Sequence, residues 1–156
     1  MLLSVDPGVN GCGCALWSDY GRLVAAKYVR VKKHADAVDQ YRALAQNVRT
    51  TFDGADSLIL EVPRVYQGSK QKGDPNDLVS LGVVVGLIVG VFGKPAKTVF
   101  PYEWKRQLPD AVCSARVMSR LDETERTVIE LPGKTLAHNV LDAVGIGLHG
   151  VGRYLV

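Results

Sequence analysis

The N-terminal part of the chain alternates short apolar runs with turn-forming residues. Residues 2–6 predict a buried strand, and residues 7–11, with two glycines and a proline, predict a turn. Residues 12–17 and 23–31 predict two further strands, joined by a turn at residues 19–21. Because these connections are short, the three strands are expected to form an antiparallel meander.

The pattern then changes to helical spacing. Between residues 36 and 53, apolar residues recur every three or four positions, at Val38, Tyr41, Leu44, Ala45, Val48 and Phe52. This predicts an amphipathic helix, and residues 57–62 predict the next strand. A strand reached through a crossover helix is expected to lie parallel to its partner, so the first and fourth strands should end at the same edge.

The second half predicts further alternation of helix and strand. Residues 63–76 form a long polar loop, residues 77–92 an apolar helix, and residues 96–100 a strand. In that helix, Asn76 or Asp77 is suited to cap the first turn.

The C-terminal third is predicted to be helical. Residues 102–131 predict two or three short helices, broken near 108–109 and 121–122, and residues 135–154 predict a final helix. The order βββ-α-β-α-β-α predicts an α/β fold. Its sheet is mixed, first three strands antiparallel and then parallel, with helices on both faces.

Composition places few limits on function. The chain has 156 residues, which predicts one domain, and its net charge of +3 permits binding to a polyanion without requiring it. Cys12, Cys14 and Cys113 are odd in number and lack zinc-site spacing, so they predict small buried residues in a reducing compartment. No signal peptide or membrane span is predicted, because Asp6 interrupts the first apolar run and residues 78–92 fall short of roughly twenty apolar positions. We therefore expect a cytoplasmic protein that does not interact with membranes.

Three acidic residues lie in apolar surroundings. Asp6 and Glu61 end two predicted strands, and Asp142 lies in the apolar final helix. A carboxylate in such a place is costly unless it is paired or holds a metal. Each one could cap an element or pair with a surface Lys or Arg; alternatively, all three share a cation, and oxygen ligands favour Mg²⁺ or Mn²⁺.

Such a cluster is suited to phosphoryl chemistry. Two Mg²⁺ ions about 4 Å apart would neutralise it, one activating water and the other stabilising the leaving oxygen. The Asp-Pro-Gly turn at residues 6–8 also resembles the phosphate-binding turn of the actin and sugar-kinase group. That group needs two such lobes, for which this chain is too short.

Four segments together resemble one family. They are Leu-Ser-Val-Asp-Pro-Gly-Val-Asn-Gly-Cys-Gly at residues 3–13, Leu-Ile-Leu-Glu at 58–61, Pro-Tyr-Glu-Trp-Lys at 101–105 and Val-Leu-Asp-Ala-Val-Gly-Ile-Gly at 140–147. In this order they resemble the RuvC-type Holliday junction resolvases. The resemblance implies a single RNase H-like nuclease domain over residues 1–156, a homodimer, and Mg²⁺- or Mn²⁺-dependent cleavage of four-way DNA junctions.

The resemblance also implies roles for individual residues. Asp6, Glu61 and Asp142 become metal ligands, and Lys105 becomes a catalytic phosphate contact. Arg116 lies near the place of a second basic DNA contact.

One position departs from the family pattern. The family has an Asp, or in some members a His, three residues before its last Asp; here that residue is Asn139, preceded by His138. Both lie one turn before Asp142, so either can reach the site. The motif favours Asn139, whereas ligand chemistry favours His138, whose nitrogen Mn²⁺ accepts readily. We predict His138 as the fourth ligand.

The long loop and the apolar helix supply further candidates. Arg64, Lys70 and Lys72 are candidate phosphate contacts, and Tyr66 could stack on an unpaired base; a merely solvated loop is the alternative. The glycine face of the helix at 77–92, formed by Gly82, Gly86 and Gly90, predicts close approach of another backbone. That backbone belongs either to a second subunit, which we favour slightly, or to the sheet. Trp104 is expected to be a core or interface anchor.

The sequence therefore predicts a dimeric, metal-dependent endonuclease specific for four-way junctions. Two alternatives remain. One is an RNase H-like nuclease acting on flaps or other branched DNA, and the other is a junction-binding module whose catalysis is impaired by Asn139.

Overall fold

A five-stranded mixed sheet organises the protein. The computed structural model describes residues 1–65, 74–106 and 108–154. The spatial strand order is β3-β2-β1-β4-β5, with antiparallel pairing of β1 to β2 and β2 to β3 and parallel pairing of β1 to β4 and β4 to β5. The strands are β1 Leu2–Asp6, β2 Gly11–Trp17, β3 Leu23–Arg30, β4 Ser57–Glu61 and β5 Ala96–Val99. The predicted α/β fold, an antiparallel meander followed by parallel strands, is confirmed.

Helices cover both faces of this sheet. They are α1 Ala37–Thr51, α2 Pro75–Phe92, α3 Pro101–Trp104, α4 Asp110–Ser119, α5 Glu123–Thr127 and α6 Ala137–Gly150. Helices α1 and α2 pack over one core cluster, and the second cluster lies between the sheet and α6 with its neighbours. The predicted breaks near residues 108–109 and 121–122 are confirmed, whereas α6 is shorter than predicted.

Local chemistry sets where α2 begins and ends. Its N-cap is Asp74, whose side chain accepts a hydrogen bond from the main-chain N–H of Asn76, so the predicted cap at Asn76 or Asp77 is wrong. Pro75 lies in the first turn, where its missing N–H has no cost, so the helix starts earlier than the apolar pattern indicates. Gly93, with φ of 57°, adopts the left-handed conformation that ends it.

Helix α6 lies unusually close to the sheet. The Ser4 hydroxyl donates to the main-chain oxygen of Ala143 over 2.7 Å, and Trp17 Nε1 donates to Ser4 Oγ over 3.0 Å. A Cβ atom on Gly147 would lie 1.9 Å from Trp17 Nε1, so only glycine permits this approach. These contacts hold α6 against β1 and β2, next to the position of Asp142.

The three cysteines are buried free thiols, as predicted. Burial raises the pKa of Cys12 to about 12, and it also raises those of Cys14 and Cys113. They therefore act as small core residues rather than as thiolates.

The glycine face of α2 is open. Within residues 1–65, 74–106 and 108–154, no atom apart from the helix's own backbone lies within 4 Å of a Cβ added to Gly82, Gly86 or Gly90, so the alternative that this face packs on the sheet is wrong. The helix instead buries Val84, Val85, Ile88 and Phe92. By length and composition alone α2 could cross a membrane, since its mean hydropathy is 1.8 and 22% of it is buried, but core helices pass the same test.

An ion pair between the buried Glu125 and the half-buried Arg153 ties the C-terminal segment to α5 and to the start of β3. Glu125 Oε1 and Oε2 accept hydrogen bonds from Arg153 Nη1 and Nη2 over 2.6 and 2.9 Å, and Oε1 also accepts from the N–H of Leu23 over 2.9 Å. The hydrogen bond from Arg153 lowers the pKa of Glu125 to about 2, despite burial. The pair therefore stabilises the fold only while Glu125 is ionised.

We expect Glu125→Gln to lower the free energy of unfolding at pH 7 by roughly 2–3 kcal/mol, because Arg153 loses its charged partner. The contribution of Glu125 is complete above its unfolded pKa of about 4.5 and is lost as pH falls towards 2, so the two proteins should converge in acid. Urea denaturation across pH 2–7 measures this. The exposed Glu123→Gln variant in the same helix is the control, and an equal response in both variants would contradict the assignment.

Candidate active site

Two of the three acidic residues end neighbouring parallel strands. Asp6 is the last residue of β1 and Glu61 the last of β4, and the register pairs Val5 with Leu60 immediately before them. Side chains alternate along a strand, so Asp6 points to the same face as Ser4, which contacts α6. Glu61 likewise shares a face with Ile59, which belongs to the α6 cluster. The predicted meeting of both carboxylates at one edge is confirmed.

Helix α6 brings the third carboxylate to this edge. Asp142 precedes Ala143, the residue held by Ser4, and its Oδ2 lies 2.9 Å from the Nζ of Lys105. The side chains of this ion pair are only 15% and 21% exposed, respectively. Lys105 follows α3, so four separate elements contribute one charged side chain each to the site.

Burial and neighbouring charges shift the pKa values of the carboxylates. Burial, followed by the charges of Glu61 and Asp142, raises the pKa of Asp6 well above its usual range, and Lys105 only partly opposes this. Burial also raises the pKa of Glu61, against a hydrogen bond from Trp104 and the charge of Lys105. The site therefore has too little positive charge to offset the burial of these carboxylates.

Lys105 supplies the cation that the site does have. Burial alone would lower its pKa, but the charge and hydrogen bond of Asp142, together with Glu61 and Asp6, raise it above its usual range. Lys105 therefore remains an ammonium ion. One ammonium against three carboxylates leaves an excess of negative charge at the edge of the sheet.

The donor set fits a hard divalent cation. Asp6, Glu61 and Asp142 offer only oxygen ligands, which Mg²⁺ and Mn²⁺ prefer. Among residues 1–65, 74–106 and 108–154, no three acidic, histidine or cysteine side chains lie close enough to hold an ion as they stand. The three carboxylates would therefore hold such an ion only after a rearrangement of the site.

The two candidates for a fourth ligand differ in their surroundings. His138 is exposed, whereas Asn139 is partly buried. The main chain of Asn139 packs directly against Gly13, since a Cβ atom on Gly13 would lie 1.9 Å from the main-chain oxygen of Asn139. Gly13 is the strand partner of Asp6. Burial and proximity thus favour Asn139, in contrast to the preference drawn from ligand chemistry.

Trp104 is a functional neighbour that the sequence did not reveal. It is fully buried, as an anchor should be, but its Nε1 also donates to Glu61 Oε2 over 2.7 Å. Gly145 leaves room for the ring, since a Cβ there would lie 2.3 Å from Trp104 Cζ3. Trp104 and Lys105 are adjacent in the chain, and each one bonds to a different carboxylate. The position of Trp104 next to Lys105 was therefore the sequence feature that could have identified it as a neighbour of the site.

Pairs of cationic and aromatic side chains flank the carboxylates. On one side, Arg64 lies over Phe100 and Tyr102, with Cζ 5.5 and 5.3 Å from the two ring centroids. On the other side, Cζ of Arg30 lies 5.7 Å from the ring centroid of Tyr28. Tyr28 pairs with Gly13 across the sheet, and Gly13 in turn pairs with Asp6.

The remaining predicted contacts lie outside the site or outside the described residues. Arg116 is in the last turn of α4, and its charge acts on Tyr154, whose pKa burial and Cys113 raise to about 12. Tyr66, Lys70 and Lys72 lie in residues 66–73, outside the described residues.

We expect Trp104→Phe to raise the pKa of Glu61 further, because the lost N–H donor stabilises the ionised carboxylate. NMR titration of the glutamate carboxyl carbons in metal-free protein measures this shift. The variant should also lose roughly 1–3 kcal/mol of stability through the smaller ring. Trp17→Phe, which removes another buried indole, is the matched control; an unchanged Glu61 titration in Trp104→Phe would show that the bond has no effect on it.

Comparison with known proteins identifies the fold. No family model and no curated protein matches the sequence. Among solved structures, Thermus thermophilus RuvC in complex with a Holliday junction substrate superposes with a TM-score of 0.62 at 17% identity, over 97% of this chain and 92% of that one. The Fowlpox virus resolvase with Holliday junction DNA gives 0.60 at 15% identity, over 97% and 99%. The yeast mitochondrial resolvase Ydc2 gives 0.57 at 9% identity, over 98% and 79%. This chain has the RNase H-like fold of the RuvC-type Holliday junction resolvases.

Proposed function

We propose that this protein is a metal-dependent endonuclease that cleaves four-way DNA junctions. The observation that carries the proposal is the convergence of Asp6, Glu61, Asp142 and Lys105 at one edge of the sheet. The RuvC and Fowlpox virus structures of this fold were both solved with Holliday junction DNA. The order of the sequence motifs adds an independent resemblance to the same family.

The chemistry proposed is hydrolysis of a phosphodiester. When bound, two Mg²⁺ or Mn²⁺ ions would activate water and stabilise the leaving oxygen. Asp6, Glu61 and Asp142 would hold these ions, with Asn139 or His138 as a fourth ligand. Lys105 would contact the scissile phosphate. The negative charge that this one ammonium ion leaves unneutralised among three carboxylates is the reason why they would need a cation.

DNA binding is proposed to use basic side chains. Arg64 follows Glu61 by three positions and is exposed, which supports a contact between Arg64 and the strand that enters the site. Arg116, Lys70, Lys72 and Tyr66 remain proposed contacts from the sequence. The positive charges of Arg64, Arg116, Lys70 and Lys72 would make the affinity for DNA fall as salt concentration rises, since each phosphate contact releases counterions.

The proposal includes a homodimer formed through the open face of α2. Val79 is 66% exposed, and the glycines beside it leave a smooth apolar surface. Such a face is costly in water unless it is covered, and the proposed cover is α2 of a second copy of the chain. Two sites related by a two-fold axis suit paired incision of a two-fold symmetric junction.

We expect the wild-type protein to cut four-way junctions in Mg²⁺ or Mn²⁺ and to leave linear duplex DNA uncut. Asp6→Asn should lower the cleavage rate at least a hundredfold, because it removes a ligand, while junction affinity persists or rises as repulsion of phosphate weakens. Single-turnover cleavage and gel-shift assays measure both effects, with the exposed Asp53→Asn as control.

The same assays separate the alternatives. Cleavage of flaps in preference to four-way junctions would indicate a nuclease whose substrate is another form of branched DNA. Tight junction binding without cleavage would indicate a binding module, the outcome favoured if Asn139 weakens the site. Wild-type turnover by Asp6→Asn would contradict the site itself.

We expect Gly86→Leu to convert a dimer into a folded monomer. The side chain enters open space within one subunit, so folding should be unaffected, but it would separate two helices that meet at this face. Analytical ultracentrifugation and circular dichroism measure assembly and folding. Gln46→Leu puts the same apolar side chain at an exposed position of α1 and should remain dimeric; a dimeric Gly86→Leu would exclude this interface.

A further inference from the structure

A stacked group of three side chains lies beside the carboxylates without a role in holding them. The rings of Phe100 and Tyr102 are nearly parallel, with centroids 5.8 Å apart and planes 10° apart. The guanidinium of Arg64 lies against both rings. Tyr102 is nevertheless 46% exposed, so much of its surface stays in contact with solvent. This group is called here the stacking platform.

The chain places the platform at the rim of the site. Val99, the last residue of β5, pairs with Glu61, and Phe100 follows it directly. Tyr102 belongs to the short helix α3, which also carries Trp104 and ends at Lys105. Trp104 and Lys105 bind Glu61 and Asp142, so α3 connects the exposed tyrosine to two of the three carboxylates.

The chemistry of the platform matches a nucleobase. Every base presents a π face that stacks on aromatic rings and on guanidinium planes, without regard to sequence. The cation of Arg64 attracts the faces of the two rings, and its positive charge suits a chain of phosphates. A base can stack only if it is not held in a duplex, which is the condition of nucleotides at the centre of an opened junction or at a branch point.

We infer that Tyr102, supported by Phe100 and Arg64, stacks on an unpaired nucleobase beside the phosphate that lies at Asp6, Glu61 and Asp142. This inference rests on the proposed function for the identity of the ligand as DNA. It assigns α3 two tasks: one side of the helix orients the carboxylates, and the other fixes the position of the strand. The contact selects for an unpaired base rather than for a base sequence.

A purely structural role for the aromatic pair predicts different behaviour. If Tyr102 only packed against Phe100, then Tyr102→Leu would change the stability of the protein but not the environment of any base in the bound DNA. If Tyr102 stacks on a base, the loss of its ring should act on the environment of one nucleotide. Tyr102→Phe keeps the ring and should behave like the wild-type protein in that case.

The test uses oligonucleotides that carry a single unpaired 2-aminopurine, whose fluorescence is quenched by stacking. The base is moved one position at a time across the branch point of a four-way junction, and into a single strand of the same sequence. Binding is measured in Ca²⁺, so that the readout does not depend on cleavage. The variants are Tyr102→Leu, Tyr102→Phe and Tyr20→Leu.

Tyr20 is the matched control because it is a 94% exposed tyrosine in the turn between β2 and β3, at the opposite end of the sheet from Asp6. We expect wild-type, Tyr102→Phe and Tyr20→Leu proteins to quench one position and Tyr102→Leu to lose that quenching. We also expect Tyr102→Leu to bind the single strand about tenfold more weakly. Circular dichroism confirms that each variant is folded.

The outcomes separate this inference from the proposed function. Quenching that depends on the Tyr102 ring supports the platform even if the protein cuts no junction, in which case only the proposed reaction fails. Quenching that Tyr102→Leu retains, or an absence of quenching at every position with wild-type protein, overturns the platform even if junction cleavage is normal.

Discussion

The close contact between α6 and the sheet is the constraint on which the site depends. Gly147 lets Trp17 and Ser4 approach the helix, and Ser4 then bonds to the main chain of Ala143. This contact fixes the position of α6 at Ala143, the residue that follows Asp142. Strand register alone brings Asp6 to Glu61, but only this packing adds the third carboxylate, which the helix would otherwise hold away from the sheet edge.

The charge imbalance at that edge has a structural cost that the rest of the fold offsets. Burial raises the pKa of Asp6 and that of Glu61. The charges of Glu61 and Asp142 raise the pKa of Asp6 further, whereas the hydrogen bond from Trp104 and the charge of Lys105 oppose the rise at Glu61. Lys105 neutralises only part of this charge. Two apolar clusters on opposite faces of the sheet provide the stability that permits such an arrangement.

The sequence predicted the fold well because apolar periodicity determines which elements form, and crossover geometry determines their direction. It also predicted the meeting of Asp6 and Glu61, since strand ends are visible in the sequence. It could not predict the bond from Trp104 to Glu61, because a buried indole looks the same in sequence whether or not its N–H meets a carboxylate. The cap at Asp74 was missed because Pro75 begins the helix before the apolar spacing does. The open glycine face of α2 was missed because helical spacing identifies a face but not what covers it.

The central claim is that Asp6, Glu61 and Asp142 form a single cation site. Calorimetric titration with Mn²⁺ in the absence of DNA tests it most directly, comparing the wild-type protein with Glu61→Gln, Asp142→Asn and the exposed Asp53→Asn. The account predicts that the first two variants each lower Mn²⁺ affinity about tenfold or more, because each removes a ligand from the same site, whereas Asp53→Asn binds as the wild-type protein does. Unchanged affinity in Glu61→Gln and Asp142→Asn would contradict it.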